Sequence, residues 1–197
     1  MDDIIKSAAE IAIAKVEKLG KATDAERLKW KYFPEGEKLA SSYLKQECEL
    51  LVELGKYEEA AKKYIIKGAE DILIRNIDLP KNDVAKKRNK VAMEGLKMVK
   101  SDKGGVENVY SKLRRIFNHY QEQGELQKKQ AYESLKNEFE AKVQQALQQQ
   151  MGPVTGMKID VERQPQFQEE WHRLLNQFDS QYYSLLSEYK QELIGVP

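Results

Sequence analysis

Apolar residues recur at steps of three and four along most of this chain, which is the spacing of an amphipathic helix. The longest such pattern covers about residues 105–150. A continuous helix of that length would extend about 70 Å at 1.5 Å rise per residue. Gly124 lies inside the pattern, where glycine costs about 1 kcal/mol relative to alanine. The pattern therefore predicts either one long helix or two ordinary helices that meet at Gly124.

Shorter stretches with the same period predict further helices. They cover about residues 2–19, 23–32, 37–54, 57–76, 82–100 and 165–193. Pro34 and Gly36 are expected to separate the second of these helices from the third, because proline disfavours a helix interior. The chain contains only 11 glycines and 5 prolines, which suits a mostly helical protein. The sequence thus predicts an all-α fold.

The predicted helices fall into two groups. Residues 1–103 are expected to form an N-terminal helical bundle, and residues 104–197 a long helical hairpin. In the hairpin, the C-terminal helix would run antiparallel to the long helix in a coiled-coil-like manner, returned by a connector over residues 151–164. Residues 157–161 of the connector alternate in polarity as a strand does. Because a single strand is unstable by itself, the structure of residues 154–161 stays open.

The C-terminal helix carries a regular apolar repeat. Large apolar residues alternate at steps of four and three, as in the seam of a coiled coil. They are Trp171, Leu175, Phe178, Tyr182, Leu185 and Tyr189. We call these six residues the seam. The long helix exceeds what the C-terminal helix can cover, so part of it must meet other helices or another subunit. We therefore expect the seam to contact a protein partner, either in a homodimer or in a larger complex.

One short motif resembles a known repeat family. The residues after Glu53 read LGKYEEA, and Tyr64 and Ala69 follow at helical spacing. Over about residues 38–74 this resembles the turn and second helix of a tetratricopeptide repeat. The resemblance implies a helical hairpin whose corner is filled by Tyr57. No second copy lies at the 34-residue period, and solenoids need several stacked units, so a single hairpin with the same turn is the alternative.

Composition narrows the class of protein further. Charged residues make up 33% of the 197 residues, but the formal net charge is only +1. The whole chain therefore has no field that would draw it to nucleic acid or to an anionic membrane. A single cysteine, Cys48, excludes an internal disulfide and fits a reducing compartment. With no apolar run of about 20 residues and an acidic N-terminus unlike a signal peptide, we expect a cytoplasmic protein without a membrane span.

A local excess of positive charge offers a second interpretation. Residues 81–103 contain eight basic and three acidic side chains. The candidate phosphate contacts are Lys86, Lys87, Arg88 and Lys90, and they would make this face a nucleic-acid surface. Aromatic residues for base stacking are absent here. The alternative is a solvated helix face.

Residues with the chemistry of a metal or catalytic site are few. Glu169 and His172 match the Glu-x-x-His ligand pair of ferritin-like bundles, but the other candidate, His119 with Glu122, has the reverse order. A chance match is the alternative. No phosphate-binding loop or nucleophile motif is present, which favours a non-enzymatic protein without a cofactor. An enzyme stays open as an alternative, because a site built from separated residues leaves no local trace in a sequence. The sequence favours a helical interaction or scaffold protein, with nucleic-acid association and metal binding as alternatives.

Overall fold

The computed structural model describes residues 22–151 and 160–197. All regular structure in these residues is helical, as predicted. The elements are α1 (Asp24–Leu44), α2 (Leu50–Gly55), α3 (Glu59–Arg75), α4 (Asp83–Val99), α5 (Lys103–His119), a π-helical turn (Tyr120–Gly124), α6 (Glu125–Met151), a 3₁₀ turn (Val161–Arg163) and α7 (Pro165–Gly195). The helix predicted over residues 2–19 lies outside the described residues.

The chain divides into two compact units. The first combines the residues up to 77 with residues 88–101, and the second combines residues 78–87 with residues 102–197. A compact unit need not fold independently, so the predicted domains 1–103 and 104–197 stay a prediction.

In the first unit, α1 and α3 cross at very short range. A Cβ atom added to Gly36 would lie well under 3.0 Å from the backbone carbonyl oxygen of Ile65. Gly68 of α3 makes the reciprocal approach to the carbonyl oxygen of Phe33. Small residues let the two backbones meet, and the core forms around that crossing. The fully buried core residues include Ala40, Ile65, Ala69, Leu73 and Leu96.

The predicted break at Pro34 and Gly36 is wrong. Helix α1 begins at a capping box, in which Thr23 and Glu26 bond each other's backbone N–H groups, and it continues through Pro34. A proline inside a helix costs about 3 kcal/mol. Because Gly36 is placed directly against α3, helix–helix packing offsets that cost, and the glycine serves close packing rather than a turn.

The predicted single helix over residues 37–54 is also wrong, because the chain breaks after Leu44. Gln46 adopts a left-handed backbone with φ of 63°. The N–H of Gln46 donates to the carbonyl of Tyr43, and that of Glu47 donates to Ser42, which is the Schellman pattern of a helix end. This position is usually glycine, so a glutamine there gave no stop signal. Leu54 and Gly55 of the LGKY motif end α2, and Lys56 and Tyr57 belong to the turn before α3.

In the second unit, α5, the π-helical turn and α6 form one continuous long helix from Lys103 to Met151. This answers the question that Gly124 left open. Helix α7 runs antiparallel to it. Lys112 pairs with Glu192 at 2.7 Å, and further along the long helix Lys136 pairs with Glu162 at 2.7 Å. Residue numbers therefore rise along the long helix in the direction in which they fall along α7, so the two helices are antiparallel.

The core of the second unit lies between these antiparallel helices. Its most buried residues are Val106, Leu113, Tyr120, Val161, Leu186 and Leu193. Residues 154–159 of the connector lie outside the described residues, and Val161 begins the 3₁₀ turn. No described helix is both long and apolar enough to cross a membrane.

Candidate functional site

The structure divides the predicted seam between two concave surfaces of the second unit. The buried apolar positions of α7 are Phe167, Leu186 and Leu193, which lie beside the seam. The seam residues themselves are half-buried, apart from Leu185, which is 40% exposed. Trp171, Tyr182 and Tyr189 contact the long helix of their own chain, and contact of the seam with a partner stays a prediction. The coiled-coil geometry of the two helices also stays a prediction.

Four seam residues line an apolar groove between α5 and α7. The groove has a volume of about 420 Å³. Its apolar lining consists of Ile116 from α5 with Phe178, Tyr182, Leu185 and Tyr189 from α7. We call it the hairpin groove. Polar side chains at its border include Arg115, Gln127 and Gln181.

A histidine fixes one side of the hairpin groove. The Nδ1 atom of His119 lies 2.9 Å from the hydroxyl of Tyr182. Gly124 lies beneath the same tyrosine, because a Cβ added there would be 3.2 Å from that hydroxyl oxygen. The π-helical turn thus brings a glycine under Tyr182, and π-helical turns within α-helices occur frequently at functional sites.

The other two seam residues lie near a charged cluster that the sequence did not reveal. Asp179 is nearly buried and accepts bonds at both carboxylate oxygens. Lys81 binds one oxygen at 2.6 Å, and Lys128 binds the other at 3.0 Å. The hydroxyl of Tyr120 donates to Asp179 at 3.1 Å and accepts from Lys128 at 2.7 Å. We call these four residues the lysine cluster.

The lysine cluster holds each of its charged groups in the ionised form. Burial alone would raise the pKa of Asp179, but hydrogen bonds from Lys81 and Lys128 outweigh burial and lower the pKa. Burial alone would lower the pKa of both lysines. Bonds to Asp179 and to tyrosine hydroxyls outweigh it and raise their pKa values. The lysines therefore act as fixed positive charges and not as bases or nucleophiles, which need a lowered pKa.

A cleft of about 470 Å³ opens beside the lysine cluster. Its lining also includes Tyr132, Trp171 and Leu175. The rings of Tyr132 and Trp171 meet edge to face, with centroids 5.0 Å apart. Glu125 and Lys129 complete the lining. We call this cavity the lysine cleft. Its lining therefore combines lysine side chains with aromatic rings.

One signal in the sequence could have revealed part of this site. Asp179 precedes the buried Leu186 and Leu193 by one and two heptads, so it places a charge within an apolar row of α7. A charge in such a row needs buried partners. The partners could not have been named, since Lys81 and Lys128 come from distant parts of the chain.

The predicted nucleic-acid residues are exposed to solvent. Lys86, Lys87, Arg88 and Lys90 all lie on the surface of α4, and Lys86 pairs with Asp83 at 3.3 Å. Lys100 does not belong to such a surface, because it is buried and paired with Glu70 at 3.2 Å. Binding of nucleic acid by the exposed residues stays a prediction.

The predicted metal pair is exposed as well. Glu169 and His172 both face solvent on α7. Within residues 22–151 and 160–197, no three His, Cys, Asp or Glu side chains are grouped so that they could hold a metal ion. Burial raises the pKa of the Cys48 thiol, which agrees with a packing role for this cysteine.

Comparison with known proteins gives one match. The sequence profile of a family of unknown function (DUF6657) matches residues 51–194. No tetratricopeptide-repeat family matches, so that resemblance is not confirmed. No curated protein and no solved structure matches the chain.

Proposed function

The chain belongs to the DUF6657 family of unknown function, and from the geometry of its second unit we propose that it is a helical interaction protein whose hairpin groove pairs with a second copy of itself. The supporting observation is the groove itself. Its apolar lining is mainly Phe178, Tyr182, Leu185 and Tyr189, and polar side chains of the lining, among them Arg115, Gln127 and Gln181, are exposed. Protein interfaces have this composition, with aromatic and apolar residues at the centre and a polar rim.

The spacing of the groove residues supports a second copy as the partner. Phe178, Tyr182, Leu185 and Tyr189 follow steps of four, three and four, which read the same in both directions. An antiparallel second α7 would therefore present matching positions, with Phe178 against Tyr189 and Tyr182 against Leu185. Twofold interfaces require this kind of self-complementarity. Ser184, which is small and exposed, lies next to the centre of that pattern and permits close approach.

The test replaces Leu185 by lysine and measures the mass by light scattering during gel filtration. The wild-type chain should give a dimer mass that persists on dilution. Leu185 is 40% exposed in the single chain, so burying that part in a dimer contributes about 1 kcal/mol per copy. A lysine at this position would in addition bring two like charges together in a twofold interface, which costs several kcal/mol. Leu185→Lys should therefore weaken dimerisation by at least about 100-fold and give a monomer.

Leu51→Lys is the matched control. Leu51 is also an exposed leucine on a helix, at 56% exposure, but it lies in the first unit. This variant should keep the wild-type mass. A monomeric wild-type chain at every concentration, or a Leu185→Lys variant that stays dimeric, would contradict the proposal.

A further inference from the structure

The charged lining of the lysine cleft is a second candidate binding site, and it does not depend on dimerisation. This lining consists of three lysines, Lys81, Lys128 and Lys129, and two carboxylates, Asp179 and Glu125. The cleft therefore has one positive charge in excess. An anion that enters the cleft would therefore meet a lining of net positive charge.

The hydrogen-bond donors show where a counter-charge would bind. Lys128 already has Tyr120, Asp179 and, at 3.5 Å, Glu125 as partners. These use the three N–H donors of its ammonium group. Lys81 donates to Asp179 at 2.6 Å and to the hydroxyl of Tyr183, which leaves one of its three donors.

Lys129 is the second available cation. It is exposed at the rim of the cleft, and it forms no ion pair with any residue in the described part of the chain. Lys81 and Lys129 thus both line the cleft with donors to spare. Lys128 and Asp179 hold Lys81 in place through the shared carboxylate.

The apolar part of the lining indicates what the rest of a ligand would be. Tyr132 and Trp171 present aromatic surface, and Leu175 adds aliphatic surface. The cleft volume of about 470 Å³ falls within the range of small-molecule sites, roughly 300–1,000 Å³. A ring could pack on this surface while an anionic group reaches the lysines.

We propose that the lysine cleft binds a small organic anion, in which a carboxylate or phosphate group contacts Lys81 and Lys129 and a planar apolar group packs against Trp171 and Tyr132. The site binds its ligand by charge and stacking. Glu125 lines the same cleft and is 62% exposed, so it can turn to solvent when an anion enters.

The test follows the indole N–H signal of Trp171 by two-dimensional NMR on the full-length chain. The chain has only two tryptophans, so Trp30→Phe identifies the remaining indole signal as Trp171. The probes are phenyl phosphate and benzoate, with phenol as the ring without the charge and inorganic phosphate as the charge without the ring. At least one of the two ring-bearing anions should shift the Trp171 signal saturably, and phenol and inorganic phosphate should bind at least tenfold more weakly. The better of phenyl phosphate and benzoate identifies the anionic group.

Lys129→Gln supplies the decisive variant, because an exposed lysine without an ion pair can be replaced without loss of the fold. It should weaken binding of the better probe at least tenfold. Lys87→Gln, the same change at an exposed lysine outside the cleft, should leave binding unchanged. A Trp171 signal that no probe shifts would overturn the proposal. So would equal shifts by phenol and the anions, or a Lys129→Gln variant that binds like the wild type.

Discussion

Replacing Gly36 by alanine is expected to destabilise the chain by more than about 3 kcal/mol. The added Cβ would overlap the backbone carbonyl oxygen of Ile65 on α3. A backbone atom cannot rotate away as a side chain does, so the two helices would have to separate. Alanine favours a helix by about 1 kcal/mol over glycine, which is too little to offset the loss of this packing. Urea denaturation followed by circular dichroism would measure the change.

Gly55→Ala is the control for this prediction. Gly55 also lies in a helix of the first unit, and nothing is within 4 Å of the position that its Cβ would take. That variant should be neutral or more stable by up to about 1 kcal/mol. Gly68→Ala should resemble Gly36→Ala, because Gly68 makes the reciprocal approach to Phe33. If Gly36→Ala were as stable as Gly55→Ala, α1 and α3 could not cross as closely as described.

Sequence patterns predict helix bounds well where those bounds are determined locally, and Gly36 shows where such reasoning fails. The helices α4 and α7 end within about two residues of their predicted bounds, because periodicity determines them locally. Gly36 beside Pro34 suggested a break for equally local reasons. Its real role depends on Ile65, nearly thirty residues further along the chain. Nothing in the pattern of α1 alone shows that contact.

The candidate sites divide in a similar way. The seam was visible because its repeat lies within a single helix. Its division into a groove and a cleft was not, because that depends on which side chains of the long helix lie opposite α7. The lysine cluster combines α7 with the long helix and with Lys81. Only Asp179, a charge in an apolar row, left a trace in the sequence.

Replacing Asp179 by asparagine is expected to cost about 2–4 kcal/mol of stability at neutral pH. Breaking a buried ion pair typically costs about 3–5 kcal/mol, because the remaining charge stays buried without a partner. Here Lys128 is only 12% exposed, but Lys81 is 44% exposed and retains water, which lowers the cost. Glu192→Gln on the same helix is the control. Its pair with Lys112 is exposed on both sides, so the loss should stay below about 1 kcal/mol.

The pH dependence of the free energy of unfolding distinguishes the contribution of the Asp179 charge from that of its packing and hydrogen bonding. Because Lys81 and Lys128 lower the pKa of Asp179 in the folded chain, its ionised form stabilises the fold above the unfolded pKa of about 4. This stabilisation is lost as the pH falls through the lower folded pKa, since a protonated carboxyl no longer compensates the lysines. The free energy of unfolding should therefore fall more steeply for the wild type than for Asp179→Asn between pH 6 and pH 3. A difference between the two chains that stayed constant over this range would mean that Asp179 stabilises by packing and hydrogen bonding, and that the lysines do not depend on its charge.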